Sequence, residues 1–289
     1  MTFGAKTTAE EVTEGMDLSA TTWLITGVNS GLGYETARVL SLRGASIVGL
    51  ARTKAKADAA LVELGADGVG VACELSDLAS VRAAVATVQD LGELSGIIAN
   101  AGIMALPALE QVAGYERQFF TNHVGHFVLV TGLLDRLAAN GRVVVLSSGA
   151  HFYAKRGLEL DNLSGEAEYD AWRMYGRSKL ANILFARSLA ARFQGTGRTA
   201  NSLHPGVIQT NLGRHVPDPA GMYESLSHIL KSVGAGAATQ VYVATHPDTA
   251  NLSGEYFSDC AVAETIPEGR DDALAAALWE RTEQIANSL

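Results

Sequence analysis

The sequence predicts a doubly wound α/β domain, a parallel sheet of about seven strands with helices on both faces. Three observations predict it. Short apolar runs alternate with helix-like segments along nearly the whole chain. The runs are apolar at successive positions, as strands covered on both faces require. A glycine-rich turn, TGVNSGLG (26–33), stands between the first run and the first helical segment.

The elements follow in order. WLIT (23–26), SIVGL (46–50), GVGVA (68–72) and GIIAN (96–100) read as buried strands, and RVVVLSS (142–148), ANSLH (200–204) and GEYFSD (254–259) continue the series. Between them, 31–42, 54–64, 78–91, 114–139, 173–193 and 235–245 carry helix-like patterns. Two stretches break the alternation. Residues 149–172 form a polar insertion after the fifth strand. Residues 207–233 mix Pro217 and Pro219 with Leu212, Val216, Met222, Tyr223, Leu226, Ile229 and Leu230. A long connection at the C-terminal edge of a parallel sheet is where ligands are covered. Residues 1–19 are expected to be an N-terminal extension and 20–289 one domain.

Composition narrows the function. The 289 residues are 47% hydrophobic and 18% charged, with a formal net charge of −9. An acidic chain without a basic cluster is a poor nucleic-acid or anionic-membrane binder. The start of the chain has no apolar signal core. The longest apolar-rich stretch, HFVLVTGLLDRLAAN (126–140), is broken by Asp135 and Arg136, so no membrane span and a cytoplasmic location are expected. Cys73 and Cys260, far apart in sequence, read as two separate reduced thiols near the core.

The glycine turn points to a dinucleotide. Gly27 permits a tight turn, Gly31 lets a pyrophosphate approach the backbone, and Gly33 lets helix and strand pack closely. Asn29, Ser30 and Leu32 complete the loop at a helix start, whose N–H groups favour phosphate. Where such folds carry an acid for the adenosine ribose of NAD, this chain has Ala51-Arg52. Arg52, assisted by Lys54, suits a 2′-phosphate. NADP(H) is therefore expected, with NAD(H) as the alternative; the plainer reading of Arg52 is a solvated surface arginine.

The stretch MYGRSKLAN (174–182) sets Tyr175 and Lys179 four residues apart, on one face of a helix. A cation beside a phenol eases its ionisation, which suits proton transfer. The spacing occurs once in the chain, after a strand ending in Ser147-Ser148, with Asn122 in the preceding helical segment.

With these residues in place, the chain resembles the short-chain dehydrogenase/reductase family. TGVNSGLG, ANAG (99–102), TNHVGHF (121–127), LSS and YGRSK carry the resemblance. NHVGHF, SKLAN, LHPGVIQT and GEYFSDC are similar, more narrowly, to its retinol-dehydrogenase-like branch. The resemblance runs from about residue 20 to the end. It implies Tyr175 as general acid/base, Lys179 as the residue that binds the nicotinamide ribose and lowers the tyrosine pKa, and Ser148 as the group polarising the carbonyl. It implies that Asn122 holds a water in a proton relay. Asn100, Ala101 and Gly102 would line the adenosine side, and Pro205, Gly206, Val207 and Thr210 the nicotinamide end. Glu74-Leu75 stand where the family has Asp-Leu, whose aspartate touches adenine. A dimer or tetramer through two long helices is also implied.

His123, His126, His151 and His204 lack ligand spacing, so no metal is expected. His151 and Tyr153 would border the substrate. Leu212, Met222, Tyr223 and Leu226 would cover it, which suggests an apolar and fairly large carbonyl or alcohol; the same side chains could simply pack the segment down. The alternative function is a silent NADP(H)-sensing or scaffold protein on this fold. A sugar epimerase on a related fold is disfavoured by the turn spacing and the short C-terminal region.

Overall fold

A computed structural model describes residues 3–289. Every predicted apolar run enters one sheet. The strands are β1 (Thr22–Thr26), β2 (Ser46–Ala51), β3 (Gly68–Ala72), β4 (Leu94–Ala99), β5 (Leu137–Leu146), β6 (Thr199–His204), β7 (Tyr256–Ser258) and β8 (Ala261–Val262). Their order is β8-β7-β6-β5-β4-β1-β2-β3, parallel throughout except for β8, which pairs antiparallel with β7. The sheet thus has eight strands where about seven were expected; the eighth is a two-residue edge strand too short to leave an apolar run.

Helices α2 (Gly31–Leu42), α3 (Lys54–Leu64) and α4 (Leu78–Gln89) lie where their periodicity put them. Thr53 and Asp77 cap the latter two with side-chain oxygens on orphan backbone N–H groups. Two apolar layers sandwich the sheet. Leu24, Ile97, Val145 and Leu184 belong to one; Ile25, Ile47, Ile98 and Val241 belong to the other. Adjacent residues such as Leu24 and Ile25 face opposite layers, as the two-residue period of a strand demands.

The segment expected to be one helix over 114–139 is different. Gln111–Val112 and Tyr115–Glu116 pair as a small hairpin, with Gly114 at φ +82° in its turn. The helix α5 then runs without a break through Arg117–Phe119, a π-helical turn at Phe120–Val124, and Gly125–Thr131. Leu137–Ala139 already belong to β5. Buried apolar residues continue from helix into strand, and an apolar run alone does not separate the two.

Helix α6 (Ala171–Arg192) starts earlier than expected because Asp170 caps it, accepting from Arg173 N at 2.7 Å. It is followed by α7 (Val233–Thr245) and α8 (Asp272–Ser288). The sequence reading had no place for α8, although its buried residues Ala275, Leu278, Thr282 and Ile285 recur at helical spacing. Near the start, α1 (Ala9–Val12) opens on a Thr8–Glu11 capping box and buries Ala9 and Val12 in the second apolar layer. Glu10 pairs with Arg38 of α2. Among the described residues no helix is long and apolar enough to cross a membrane.

Candidate active site

Strand order reverses between β1 and β4, and ligands of open α/β sheets bind at that point, beyond the carboxyl ends of the strands. A cavity of about 1100 Å³ opens there. At one end its walls are Gly27, Asn29, Ser30, Gly31 and Leu32 of the glycine turn, Arg52, Glu74 and Leu75, and Asn100, Ala101 and Gly102. At the other end are Ser148, Tyr153, Tyr175 and Lys179, with Pro205, Gly206, Val207 and Thr210 between. Leu212, Met222, Tyr223 and Leu226 of the connecting segment close the roof.

The first end is shaped for close approach. Gly27 and Gly31 sit at φ +73° and +54°, which favours glycine. Gly33 stays below the turn, off the cavity wall: a Cβ there would overlap the Gly27 carbonyl oxygen and lie 2.6 Å from Asn100 Nδ2. The loop after β4 is tied to β1. Thr26 Oγ1 accepts from the backbone N–H of Asn100 and of Ala101, both at 2.9 Å, and Asn100 Nδ2 donates to Thr26 O at 2.8 Å. Asn100 Oδ1 is buried and has no partner within the chain. An orphaned acceptor, a left-handed glycine turn at the start of α2 and the Arg52 guanidinium form a donor and acceptor set that fits a nicotinamide dinucleotide.

Lys54 is not part of this set. Its ammonium donates to Asp58 one helical turn on, at 2.8 Å, an exposed pair at the usual i,i+4 spacing. Glu74 lines the wall, but its Oε1 folds back to accept from the Ser76 backbone N–H and hydroxyl.

The second end carries the chemistry-bearing groups. Tyr175 is buried, and Lys179 Nζ lies 5.6 Å from its ring centroid. Burial pushes the phenol up to about 12, against the lowering effect of the Ser148 hydroxyl. The expectation that Lys179 depresses this pKa is not met in this geometry. Burial dominates, and it also brings Lys179 itself down to about 8. Lys179 Nζ donates to Leu146 O at 3.1 Å, a carbonyl shared with Asn182 Nδ2 at 2.9 Å. Both Ser147 and Ser148 line the cavity, but the Ser147 hydroxyl donates to Lys179 O at 2.8 Å, which leaves Ser148 as the serine of this pair whose hydroxyl does not donate within the chain.

Asn122 lies in the π-helical turn, and both ends of its side-chain amide are bonded within the chain. Oδ1 accepts from Ile103 N at 2.8 Å; Nδ2 donates to Ile103 O at 2.9 Å and Ser178 Oγ at 3.0 Å. It pins the loop after β4 against α6. Its backbone carbonyl is 2.9 Å from His126 Nδ1, so that nitrogen carries the proton. His126 Nε2 then accepts from Thr26 Oγ1, also at 2.9 Å.

Burial drives these histidines neutral: His126 falls to about 4, His123 to about 3 and His204 to about 4. In the unfolded chain each binds a proton near pH 6.5. Below that pH the unfolded state holds more protons, so stability falls as pH drops from about 6.5 toward about 4. Each unit of separation is worth about 1.4 kcal/mol. Urea unfolding at pH 7.5 and pH 5 is expected to show a midpoint lower by at least about 1 M at pH 5, and the difference is expected to shrink in His126→Asn.

His151 does not border the cavity as expected. It is buried, its Nδ1 lies 2.7 Å from Ser148 O, and its ring packs on Phe152 and Tyr256. It braces the backbone beneath Ser148. Several wall residues left no signal in the sequence, among them Met104, Arg117, Trp172, His204 and Arg214. Trp172 stands edge-on to Tyr175 at 6.3 Å, in a cluster with Met104, Ala105, Ala150, Leu212 and Met222. Arg177, within the quoted stretch, is buried and donates to the backbone carbonyls of Leu158, Glu159 and Asn162, which folds the polar insertion onto α6. Among the described residues no group of His, Cys, Asp and Glu could hold a metal ion.

Comparison with known proteins agrees with this geometry. A family model described as short chain dehydrogenase matches residues 21–220. The chain is 39% identical over 304 residues to the short-chain dehydrogenase TIC 32 B, chloroplastic, of Brassica napus, which covers 99% of this chain and 95% of that protein. It is 40% identical over 291 residues to retinol dehydrogenase 14 of Mus musculus, covering 93% of this chain and 86% of the relative. A solved short chain dehydrogenase from Burkholderia cenocepacia, in complex with NADP, superposes with a TM-score of 0.68 at 23% identity, covering 83% and 96% of the two chains.

Proposed function

Since the chain belongs to the short-chain dehydrogenase family and is a nicotinamide-dependent oxidoreductase by that membership, we propose that it interconverts a ketone or aldehyde with its alcohol using NADP(H), on an apolar and fairly large substrate. One observation carries the reading. Tyr175, Lys179 and Ser148 meet on the wall of a single cavity that also reaches the glycine turn and Arg52.

The nicotinamide supplies or accepts the hydride. The rest falls to side chains of this chain. Asn29, Ser30, Gly31 and Leu32 would hold the pyrophosphate, Arg52 the 2′-phosphate, and Asn100–Gly102 the adenosine side. The segment from Pro205 to Thr210 would hold the nicotinamide end. Ser148 and Tyr175 donate to the carbonyl oxygen as negative charge develops there, and Tyr175 passes it a proton. A phenol near 12 is protonated at neutral pH and so stands ready as an acid. Lys179, on the same wall, would orient the ribose. The Asn122 side chain and its backbone carbonyl are both engaged within the chain, so Asn122 would act by pinning the loop after β4 against α6. Met104, Trp172, Leu212 and Met222 around Tyr175 favour an apolar substrate.

The test is nicotinamide oxidation, followed by absorbance, against a panel of short and long aldehydes and ketones. Turnover is expected with NADPH, rising with apolar chain length, and NADH is expected to work at least about tenfold less well. Arg52→Gln should cut that preference by about tenfold, the worth of one charge-assisted phosphate contact. Equal rates with both cofactors would refute the role of Arg52. Cofactor binding with no turnover on any carbonyl would favour a sensing protein instead.

A further inference from the structure

The cavity wall holds more positive charge than one phosphate-selecting residue explains. In a chain of net charge −9, three guanidinium groups line the one cavity: Arg52, Arg117 and Arg214. Arg117 is neutralised by an ion pair with Glu110. Arg52 and Arg214 have no acidic partner within ion-pair distance among the described residues. Arg214 NH1 donates to Asn211 O at 2.8 Å, which fixes the orientation of the fork and leaves most of its five N–H donors free.

The backbone explains how Arg214 arrives there. The connecting segment leaves β6 through Pro205–Gly206 and passes directly over the glycine turn. A Cβ at Gly31 would meet Thr210 Cγ2 at 3.3 Å. The 3₁₀ turn Asn211–His215 follows at once, so Arg214 lies one turn beyond this crossing. Burial and the nearby positive charges of Arg52 and Arg117 lower the Arg214 pKa. Two cations without an acidic partner thus line one cavity, one from the end of β2 and one from the connecting segment. Such a pair repels until an anion stands between them.

We infer that Arg214 is a second cationic grip on the cofactor 2′-phosphate, opposite Arg52, so that the phosphate which selects NADP(H) also pins the substrate-covering segment 211–226 over the site. The inference rests on the NADP(H) reading above. It adds that cofactor choice and roof placement are one event: the 2′-phosphate ties a roof residue to a sheet residue, and the apolar roof side chains Leu212, Met222 and Leu226 are carried on the same segment.

The test needs no turnover. Binding of 2′,5′-ADP and of 5′-AMP to the full chain is measured by calorimetry for wild type, Arg214→Gln and Arg52→Gln. Protection of residues 211–226 from chymotrypsin, whose sites Leu212, Tyr223 and Leu226 lie there, is measured with each ligand. In the wild type, 2′,5′-ADP should bind more tightly and protect the segment, and 5′-AMP should not protect it. In Arg214→Gln, 2′,5′-ADP should bind about tenfold more weakly with 5′-AMP unchanged, and protection should be lost. If the wild-type preference holds and Arg214→Gln binds 2′,5′-ADP like wild type, the inference falls and the NADP(H) reading stands. Equal protection by both ligands also overturns it. If wild type binds 2′,5′-ADP no more tightly than 5′-AMP, the NADP(H) reading falls and takes the inference with it.

Discussion

Replacing Tyr175 by phenylalanine is expected to lower kcat for carbonyl reduction by about 10³-fold, with NADPH affinity unchanged within about twofold. The substitution removes only the hydroxyl. The ring keeps its place among Met104, Ala105 and Ala150 and its edge-on contact with Trp172, so the fold should not suffer. The loss would therefore fall on the proton transfer and on one of two donors to the carbonyl oxygen. Ser148 remains as the second donor, which is why some activity should survive. Pre-steady-state turnover beside cofactor titration separates the two terms. A variant that reduces carbonyls at near wild-type rate would end the assignment of Tyr175 as the acid.

The pH profile of the wild type adds a sign to this. Lys179 is charged below about 8 and neutral above it. Tyr175 keeps its proton to about 12. The proposed reaction uses a protonated phenol and a charged lysine, so kcat/KM for reduction should be steady near neutrality and fall as pH rises through about 8. Because the phenol is still protonated there, the descending limb belongs to the lysine.

Gly33→Ala is expected to have the second large effect, and it acts through packing. The added methyl would overlap the Gly27 carbonyl oxygen and lie 2.8 Å from Gly27 C and 2.6 Å from Asn100 Nδ2. Neither the turn nor the Asn100 amide can yield freely, because Asn100 Nδ2 is bonded to Thr26 O at 2.8 Å and the β4 loop is tied to Thr26 Oγ1. Overpacking of this kind costs about 1–3 kcal/mol. In a chain of this size that is roughly 2–5 °C in thermal midpoint. The displaced turn should also weaken NADPH binding by at least about tenfold. Calorimetric melting and cofactor titration on the same sample check both. An unchanged melting point would mean that α2 shifts away from β1 at little cost.

The sheet, the glycine turn and the Tyr175–Lys179 pair are legible in the chain without coordinates. Each is a local pattern: an apolar run at successive positions, glycines at a strand-to-helix junction, two residues one helical turn apart. Such patterns are set by backbone geometry within a few residues, so they are legible in one dimension. The NHVGH and YGRSK stretches pointed to the same family, whose pattern matches residues 21–220. What depends on distant segments meeting emerges only from folding. It turned the predicted helix over 114–139 into a hairpin, a helix with a π-helical turn and the start of a strand. It took Lys54 out of the cavity by giving it Asp58, and moved His151 beneath Ser148. It set the Tyr175 phenol high, because desolvation depends on everything packed around a group while a neighbour in sequence supplies only one term. It also put Arg214 and Arg52, 162 positions apart, on the wall of one cavity, which no local pattern records.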